Sequence, residues 1–222
     1  MFNMMNKFGV LAQGGGVDRL YGVDANYHNN HELDIETFAV LNTLAATGSP
    51  SGIGGAFGKL FACNEGNDVN YELDKDSLLI LNTVSVSPDY NPQGIGGTKD
   101  GLYNCTDYLE KLYELNDDLL VINSGDPQNT PPSGIGGTKD RSYYCEIGSL
   151  KNYEFNSDTF VILNSANAST YPSGIGGTKD RLFGCNLTSS NINYEMDLDT
   201  FVILNSATSS YTYPKGIGGG IF

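Results

Sequence analysis

The sequence predicts an all-β fold, and two observations lead to that prediction. A glycine-rich segment recurs at a nearly constant interval, and each interval contains four short stretches with the pattern of β-strands. Composition agrees, since the 222 residues include 28 glycines, 14 tyrosines and 10 phenylalanines, a profile that suits sheets joined by many turns. We therefore expect strands and turns along the whole chain.

The repeats start at equivalent positions that are 40, 42, 40, 40 and 42 residues apart. These positions are Ala12, Gly52, Gly94, Gly134, Gly174 and Gly216. A period of about 40 to 45 residues with four strands per unit is typical of propeller blades. The sequence thus predicts one domain over residues 1–222, a five-bladed β-propeller of four-stranded antiparallel blades. Its repeats run over about 12–51, 52–93, 94–133, 134–173 and 174–215, with a closing strand at 216–222. Glycine-rich strand A material exists at both ends of the chain, so this closing strand is expected either to complete the first blade or to lie beside residues 8–14.

The first two strands of each repeat, A and B, flank a tight turn. Strand A reads Gly-Ile-Gly-Gly-Thr, as at 174–178, and a Lys-Asp pair follows it in three repeats. Glycine suits the innermost strand, because five blades crowd at the axis and only small residues allow a close approach. Strand B alternates, with an aromatic residue on one face and leucine on the other, so we expect both faces to be covered.

Strands C and D form the outer half of each repeat. Strand C centres on a triplet such as Tyr71-Glu72-Leu73, and its recurrent glutamate is expected to pair with the arginine or lysine near strand B. An Asx-rich turn follows, because Asx side chains can bond their own backbone two residues on. Strand D is predicted as the apolar run that ends at asparagine, over residues 38–42, 78–82, 119–123, 160–164 and 201–205.

The repeat resembles the short-blade β-propeller repeats of the YVTN and NHL type. The matching motifs are, in order, Gly-Ile-Gly-Gly, Asp-Arg-Leu-Tyr/Phe-x-Cys and Tyr-Glu-Leu-Asp-x-Asp-Thr-Phe-x-Val-Leu-Asn. The resemblance covers the chain from about Gly9 to Phe222. Kelch and WD patterns fit less well, because the Gly-Gly pair precedes strand B and Trp-Asp is absent. The resemblance implies the fold and says little about function, since such propellers include enzymes, lectins and scaffolds.

Net charge narrows the classes of partner. With 26 acidic and 12 basic residues the formal charge is −14, which repels phosphate backbones and anionic lipids, so we expect no nucleic-acid partner. The first twelve residues have too short an apolar run for a signal peptide, and no stretch approaches the roughly 18 apolar residues of a membrane helix. We expect a soluble protein, cytoplasmic or virion-associated, without membrane insertion; its oligomeric state is left open.

The four cysteines share one position of the repeat. They are Cys63, Cys105, Cys145 and Cys185. The first repeat has Val23 there, which indicates a small apolar site, and equivalent positions on separate blades lie too far apart for a disulfide unless the blades stack closely. We expect buried free thiols, with disulfides or a metal site as the alternatives.

Two further features could hold a metal, and we expect that neither does. His28 and His31 lie in one non-recurring loop, and exposed polar histidines are the favoured interpretation over a metal site. The acidic turns lack the glycine and the distal glutamate of a calcium loop, so they are expected to be plain hairpin turns. The sequence predicts no cofactor, no metal and no catalytic residues.

The candidate binding residues lie in the B–C and D–A loops, which should emerge on one face of the ring. These loops vary between repeats, and a rigid scaffold with variable polar and aromatic loops is a common binding surface. The residues are Asp24, Tyr27, His28, Asn64, Tyr90, Asp107, Glu146, Tyr171, Asn186 and Tyr213.

The expected function is non-enzymatic, multivalent recognition of carbohydrate through this loop face. Tyrosine faces with Asn, Asp and Ser groups suit sugar rings and hydroxyls, and five near-equivalent sites would add avidity. The resemblance to lectin-type five-bladed propellers supports this at the level of fold. The first alternative is a structural or host-attachment component of a viral particle or surface appendage that binds protein. The second is a metal-dependent hydrolase or lactonase centred in the channel.

Overall fold

The computed structural model describes residues 18–86, 90–127, 131–168, 171–187, 191–209 and 211–220. Within these ranges the chain forms five four-stranded antiparallel sheets arranged in a ring, which confirms the predicted five-bladed β-propeller. The predicted start of the first repeat at Ala12 and the last two residues of the predicted closing strand lie outside the described residues. None of the described segments forms a helix that could cross a membrane.

The strands follow one another blade by blade. Blade 1 contains β1 (Arg19–Asp24), β2 (Asn29–Leu33) and β3 (Val40–Ala45). Blade 2 contains β4 (Pro50–Ala56), β5 (Lys59–Asn64), β6 (Val69–Leu73) and β7 (Ile80–Ser85). Blade 3 contains β8 (Pro92–Gly97), β9 (Leu102–Thr106), β10 (Lys111–Leu115) and β11 (Val121–Gly125). Blade 4 contains β12 (Pro132–Gly137), β13 (Ser142–Glu146), β14 (Lys151–Phe155) and β15 (Ile162–Asn167). Blade 5 contains β16 (Pro172–Gly177), β17 (Leu182–Asn186), β18 (Ile192–Met196) and β19 (Ile203–Thr208), and β20 (Pro214–Gly220) follows.

The ring closes through β20, which supplies the innermost strand of blade 1. It pairs antiparallel with β1, from Arg19 opposite Gly220 to Asp24 opposite Pro214, and the sheet order is β20-β1-β2-β3. Ile217 of β20 is buried in the cluster between blades 5 and 1. Sequence-distant strands therefore complete one blade, and every blade has four strands.

Glycines of the A strands let neighbouring blades approach backbone to backbone. A Cβ at Gly136 would lie 2.6 Å from the carbonyl oxygen of Ile175, and one at Gly52 would lie 2.6 Å from the nitrogen of Ile95. Neither neighbour is a side chain that could move aside. The close contact of the innermost strands thus requires glycine at these positions.

A serine before the glycine motif ties three of the five A strands to the next blade. The hydroxyl of Ser133 donates to the carbonyl oxygen of Pro172 at 2.9 Å, and that of Ser173 donates to Pro214 at 2.8 Å. Ser51 makes the same bond to Pro92 at 2.5 Å. These bonds link successive blades around the axis.

Strand D begins two residues later than predicted and continues beyond the asparagine. The first apolar residue of each predicted run has a positive φ: Phe38 (58°), Leu78 (61°), Leu119 (67°), Phe160 (57°) and Phe201 (56°). Each is buried, although its backbone belongs to the turn. In blade 1, for example, the N–H of Phe38 donates to the carbonyl of Asp34 at 2.9 Å. The predicted strand starts were wrong because these residues are apolar and buried like strand residues, although their backbone is part of the turn.

The recurrent strand C glutamates pair with strand B cations in four blades, as predicted. Arg141 contacts Glu154 at 2.6 Å and Arg181 contacts Glu195 at 2.8 Å. The corresponding pairs are Arg19–Glu32 at 3.6 Å and Lys59–Glu72 at 3.3 Å. Blade 3 has Gly101 at the cation position, and within the described residues Glu114 has no such pair. The arginines also reach the next blade, since Arg141 contacts Asp199 at 2.7 Å.

All four cysteines are buried free thiols, which confirms the prediction. Burial raises the pKa of the Cys63 thiol to about 12 despite a hydrogen bond with Ser51, and it raises the pKa of Cys185 to about 12 as well. At neutral pH these thiols are protonated and apolar. Their place is in the clusters between blades, where they pack with Val, Ile and aromatic side chains.

Candidate binding face and inter-blade grooves

The B–C turns and D–A loops meet on one face of the ring. Backbone hydrogen bonds connect them directly, including Glu65 N–H to the carbonyl of Ser49 at 3.2 Å and Ala46 N–H to the carbonyl of His28 at 2.6 Å. Because such bonds join the two kinds of loop in blades 1, 2, 4 and 5, the variable residues lie on one surface, which we call the loop face.

Four predicted binding residues are buried beneath the loop face. They are Asp24, Asn64, Glu146 and Asn186, which are at most 2% exposed. Each follows the cysteine or valine position and accepts hydrogen bonds within its own B–C turn. Asp24 accepts from the N–H groups of Asn26 (2.9 Å) and Tyr27 (3.1 Å), and Glu146 accepts from the hydroxyls of Ser149 (2.6 Å) and Tyr153 (3.1 Å). The geometry assigns them the role of holding the turns.

Exposed tyrosines occur only on the loop face. Tyr27 is 66% exposed, Tyr108 74%, Tyr171 55% and Tyr213 41%, and all four lie in B–C or D–A loops. The other ten tyrosines of the chain are at most 8% exposed. The protein thus separates its tyrosines into a buried set between the strands and an exposed set on one face.

One loop cluster brings four of the predicted residues together. The carbonyl of Tyr213 accepts a hydrogen bond from Ala25 at 3.4 Å, and Asp24, directly before Ala25, caps the turn that carries Tyr27 and His28. His28 is exposed and has a φ of 54°. The junction of blades 5 and 1 therefore presents two tyrosine rings and one imidazole to solvent.

The remaining predicted residues lie elsewhere. Tyr171 accepts a hydrogen bond from Leu187 at 3.0 Å, so it lies beside Asn186 at the junction of blades 4 and 5. Asp107 is exposed in the B–C turn of blade 3. Tyr90 is buried, with 5% exposure. The ten residues thus do not converge on one site.

His31 is buried between blades, contrary to the prediction of an exposed histidine. Its ring stacks on Tyr211 at 4.7 Å between centroids, and its Nδ1 lies 2.9 Å from the hydroxyl of Thr43. Burial lowers the pKa of His31, against a smaller opposing influence of Asp24, so the neutral ring is favoured. The sequence missed this contact because Tyr211 is 180 residues away and has no counterpart at the same place in the other loops.

Rings fill three of the five grooves between blades. In the groove between blades 5 and 1, Tyr211 lies against Gly22 and donates to the Asn193 amide oxygen at 3.4 Å. Between blades 2 and 3, Tyr90 packs on Tyr113 at 4.3 Å. Between blades 3 and 4, Tyr144 of strand B stacks on Tyr153 at 4.7 Å. In each groove the tyrosine stacks on the aromatic residue of strand C, which is His31, Tyr113 or Tyr153.

The groove between blades 1 and 2 contains a cavity of about 350 Å³ instead. The D–A loop of this groove has Thr47 and no tyrosine, whereas the D–A loops on either side contribute Tyr211 and Tyr90. Strand B has Ala62 at the position of Tyr144 in blade 4. The walls are Leu44, Leu73 and Leu78, with Asn30 and Tyr71 as polar groups. This volume is in the range of small-molecule sites. Hence the five grooves are unequal.

Among the described residues, no acidic side chain lines the central channel. Glycines and isoleucines of the A strands line it, with Ser51 at one end. In the same part of the chain no three His, Cys, Asp or Glu side chains lie close enough together to hold a metal ion.

Glu65 joins two residues that replace the usual serine before the glycine motif. Its carboxylate accepts from Gln93 at 2.9 Å and pairs with Lys215, which lies on β20. Gln93 belongs to blade 3 and Lys215 to blade 1, so a carboxylate of blade 2 connects both neighbours. This contact strengthens the region where the ring closes.

Comparison with known proteins identifies the fold alone. No protein-family model and no curated protein matches the chain. The structure is similar to virginiamycin B lyase from Staphylococcus aureus, with a TM-score of 0.55, 12% identity and coverage of 85% of this chain and 66% of that chain. It is also similar to glutaminyl cyclase from Myxococcus xanthus, with a TM-score of 0.57, 10% identity and coverage of 77% and 70%.

Hydrazine synthase from Kuenenia stuttgartiensis gives a TM-score of 0.52 and 17% identity over 71% of this chain, which spans about half (48%) of the length of that chain. These neighbours are propeller proteins, and they include enzymes. At such identities the likeness establishes a β-propeller and no activity.

Proposed function

We propose that the protein is a non-enzymatic recognition module that binds carbohydrate through its loop face. The observation that carries the proposal is the separation of the tyrosines, since all four exposed rings lie on that face. An exposed phenol ring offers an apolar surface for a sugar ring and a hydroxyl for hydrogen bonding. The assignment of the repeats to the YVTN and NHL type is part of the same proposal and is supported by the repeat words.

The junction of blades 5 and 1 is the best candidate for a sugar subsite. Tyr27 and Tyr213 flank Ala25 there, and His28 adds a polar ring. The turn beneath is held by the buried Asp24, so the two rings are carried by a fixed backbone. Tyr108 and Tyr171 mark two further places on the face. The proposal therefore includes up to three unequal subsites, whereas the sequence repeats alone predicted five near-equivalent ones.

The test is a glycan array followed by titration calorimetry with the sugar that binds. We expect the double variant Tyr27→Ala/Tyr213→Ala to lose at least about 10-fold in affinity, since removal of stacking in such a subsite costs about 1.4 kcal/mol or more. Lys139→Ala on the opposite face is the matched control and should bind as the unmodified protein does. An array without signal, or unchanged affinity of the double variant, would refute the proposal.

A second candidate is a component of a larger assembly, and the outer edge of the ring favours it. Large aliphatic side chains in each D strand, or directly before it, are 55–62% exposed. They are Leu41, Leu79, Leu81, Leu120, Ile122, Val161, Leu163, Val202 and Leu204. A recurrent apolar band on open edge strands suits contact with protein. Sedimentation velocity across a concentration series tests it, since growth into larger species supports assembly and a constant monomer contradicts it.

The channel-centred hydrolase receives the least support. The lining of the axis is glycine and isoleucine, so the described channel offers no acid or base to a substrate.

A further inference from the structure

Three of the five inter-blade grooves show how this protein accommodates a ring. The strand C residues His31, Tyr113 and Tyr153 each stack on a tyrosine of the same chain, with centroid distances of 4.3–4.7 Å. In two cases the tyrosine comes from a D–A loop and in one case from strand B. The stacking position is therefore a recurrent ring-binding site that the chain fills by itself.

The groove between blades 1 and 2 keeps this site and lacks the tyrosine. Tyr71 occupies the strand C position, and no ring of the described residues stacks on it. The cavity of about 350 Å³ lies against it and is large enough for a single aromatic ring. The hydroxyl of Thr47 donates to that of Tyr71 at 3.0 Å at the loop end of the groove.

A buried amide points to the polar group of the missing occupant. Asn30 lines the cavity, is 5% exposed, and its Oδ1 has no hydrogen-bond partner among the described residues. Its counterpart in the groove between blades 5 and 1 is Asn193, whose Oδ1 accepts from the phenol of Tyr211. An orphaned buried acceptor is costly, and a ligand O–H would satisfy it.

We propose that the groove between blades 1 and 2 binds a phenolic ring, which stacks on Tyr71 and donates its hydroxyl to Asn30. The remaining walls, Leu44, Leu73 and Leu78, suit an aryl ring. A sugar in the same place would bury several hydroxyls against leucine. Two amides line the cavity, but the oxygen of Asn64 already accepts hydrogen bonds within its own turn, so Asn30 alone could receive the sugar hydroxyls, which is unfavourable. This site is separate from the loop face, and the inference does not depend on the proposed carbohydrate function.

Ala62 sets the depth of the ligand. Tyr211 lies against Gly22, where its hydroxyl occupies the space of a Cβ, whereas blade 2 has the methyl group of Ala62 at the equivalent position. The bound ring must sit further out than Tyr211 does. Ala62→Gly should therefore tighten binding.

The remaining groove, between blades 4 and 5, is less suitable although it also contains a cavity. Its strand C residue, Tyr194, folds over Gly184 and is buried. The amide nitrogen of Asn152 contacts the sulfur of Met196 at 3.4 Å, whereas its Oδ1 has no hydrogen-bond partner among the described residues. Both grooves therefore combine a cavity with an orphaned amide oxygen, and they differ in the strand C ring, because Tyr194 covers Gly184 of its own blade.

The experiment follows the leucine methyl signals of the full chain by NMR during titration with p-cresol, the tyrosine side-chain analogue. We expect saturable shifts at Leu44, Leu73 and Leu78 with a Kd of about 1 mM. Thr47→Tyr, which copies the self-filling loops, should weaken binding at least about 10-fold, and Ala62→Gly should strengthen it. Absence of saturable shifts, or equal binding by Thr47→Tyr, overturns the proposal.

The role of Asn30 is tested by comparing p-cresol with toluene. The natural counterpart in blade 3 is Leu112, so Asn30→Leu is an acceptable substitution for a propeller blade. This variant should retain toluene and lose the preference for p-cresol. Equal affinity of the unmodified protein for both compounds would contradict the hydroxyl contact. Displacement of p-cresol by methyl α-mannoside would contradict the phenolic class.

Two further arms complete the test. N-acetyl-tyrosinamide should bind if a tyrosine of a partner peptide is the natural source, whereas binding of p-cresol alone assigns the site to a free phenol.

Tyr211→Ala should open the equivalent groove, bind a second p-cresol and regain part of its lost melting temperature when p-cresol is added. If this variant does not fold, Tyr90→Ala serves in the groove between blades 2 and 3. Failure of p-cresol to stabilise either variant overturns the idea of equivalent ring sites.

Discussion

Asp and Asn take the same place in the C–D turns. In blade 1 the carboxylate of Asp34 accepts from the N–H and the hydroxyl of Thr37, both at 2.7 Å. In blade 4 the amide oxygen of Asn156 accepts from the same two groups of Thr159 at 2.9 and 2.8 Å. The turn thus needs a side-chain oxygen, and charge is optional, which explains why no calcium loop is required to account for the acidic turns.

The charged turns should make stability depend on acid. Hydrogen bonds from Thr37 lower the pKa of Asp34, the backbone N–H of Ser77 lowers that of Asp74, and the Thr200 hydroxyl lowers that of Asp197. A carboxyl whose folded pKa lies below its unfolded value stabilises the fold above the unfolded value, about 3.9, and loses this contribution as pH falls through the folded value. We expect the urea midpoint to fall from pH 5 to pH 3.

The triple variant Asp34→Asn/Asp74→Asn/Asp197→Asn should show a shallower fall. Blades 3 and 4 already use asparagine at this place, so the variant should fold at pH 7. An equally steep dependence in the variant would mean that other carboxyl groups cause the loss.

At the residue scale, patterns predicted the cysteines and the glutamate pairs, but not the ring contacts. Each cysteine and each strand C glutamate recurs, so repetition reveals its place. Tyr90 and Tyr211 do not recur at one position, and a tyrosine in a Ser- and Pro-rich loop gives no sign that its ring turns inward. The unequal grooves follow from those two residues and from Ala62, Tyr144 and Gly184 on strand B.

At the scale of elements, the D strands show where sequence patterns mislead. Phe38 and its equivalents are apolar and precede apolar residues, and such runs predict strands. Their left-handed backbone is unusual for bulky residues and carries a cost of order 1–3 kcal/mol, which burial of the side chain offsets. Residue type could not have revealed these turn positions, because a positive φ is not expected for phenylalanine or leucine.

The A-strand glycines that contact the next blade should tolerate no added methyl group. Gly136→Ala would place its Cβ 2.6 Å from the carbonyl oxygen of Ile175, so we expect a loss of about 3 kcal/mol in unfolding free energy from overpacking. Gly66→Ala is the control, since its nearest contact is the movable hydroxyl of Ser49 at 3.3 Å, and it should change stability by less than about 0.5 kcal/mol. Equal melting temperatures of the two variants would show that the blades can separate.

At the scale of the whole molecule, repetition was sufficient to predict the five blades. A period near that of known blades and four strand patterns per repeat leave few alternatives. Ring closure had two candidate strands at the level of sequence, because glycine-rich words exist near both ends of the chain, and the register of β20 on β1 is given by the structure. The ligand and the biological partner stay predictions, because the loop residues differ from repeat to repeat and show no pattern from which a binding site could be inferred.

Removal of the closing strand should destabilise the entire ring. Deletion of residues 214–222 removes the inner strand of blade 1 and exposes Val23 and the glycines of β4, which now contact β20. We expect the melting temperature to fall by more than about 10 °C, which corresponds to about 3 kcal/mol or more for a chain of this size. Deletion of 221–222 alone keeps β20 and should have little effect. An unchanged melting temperature in the longer deletion would show that β20 does not close the ring.

The pairing of β20 with β1 also constrains the order of folding. Arg19 and Gly220 are paired although almost the whole chain separates them, so blade 1 has only three strands until synthesis reaches Pro214. Until then β1 presents an unpaired edge, a place where nascent chains can associate wrongly. The loop-closure entropy of such a distant pairing makes it slow. All strands of blades 2 to 5 precede β20 in the chain, so we expect the pairing of β20 with β1 to be a late folding event.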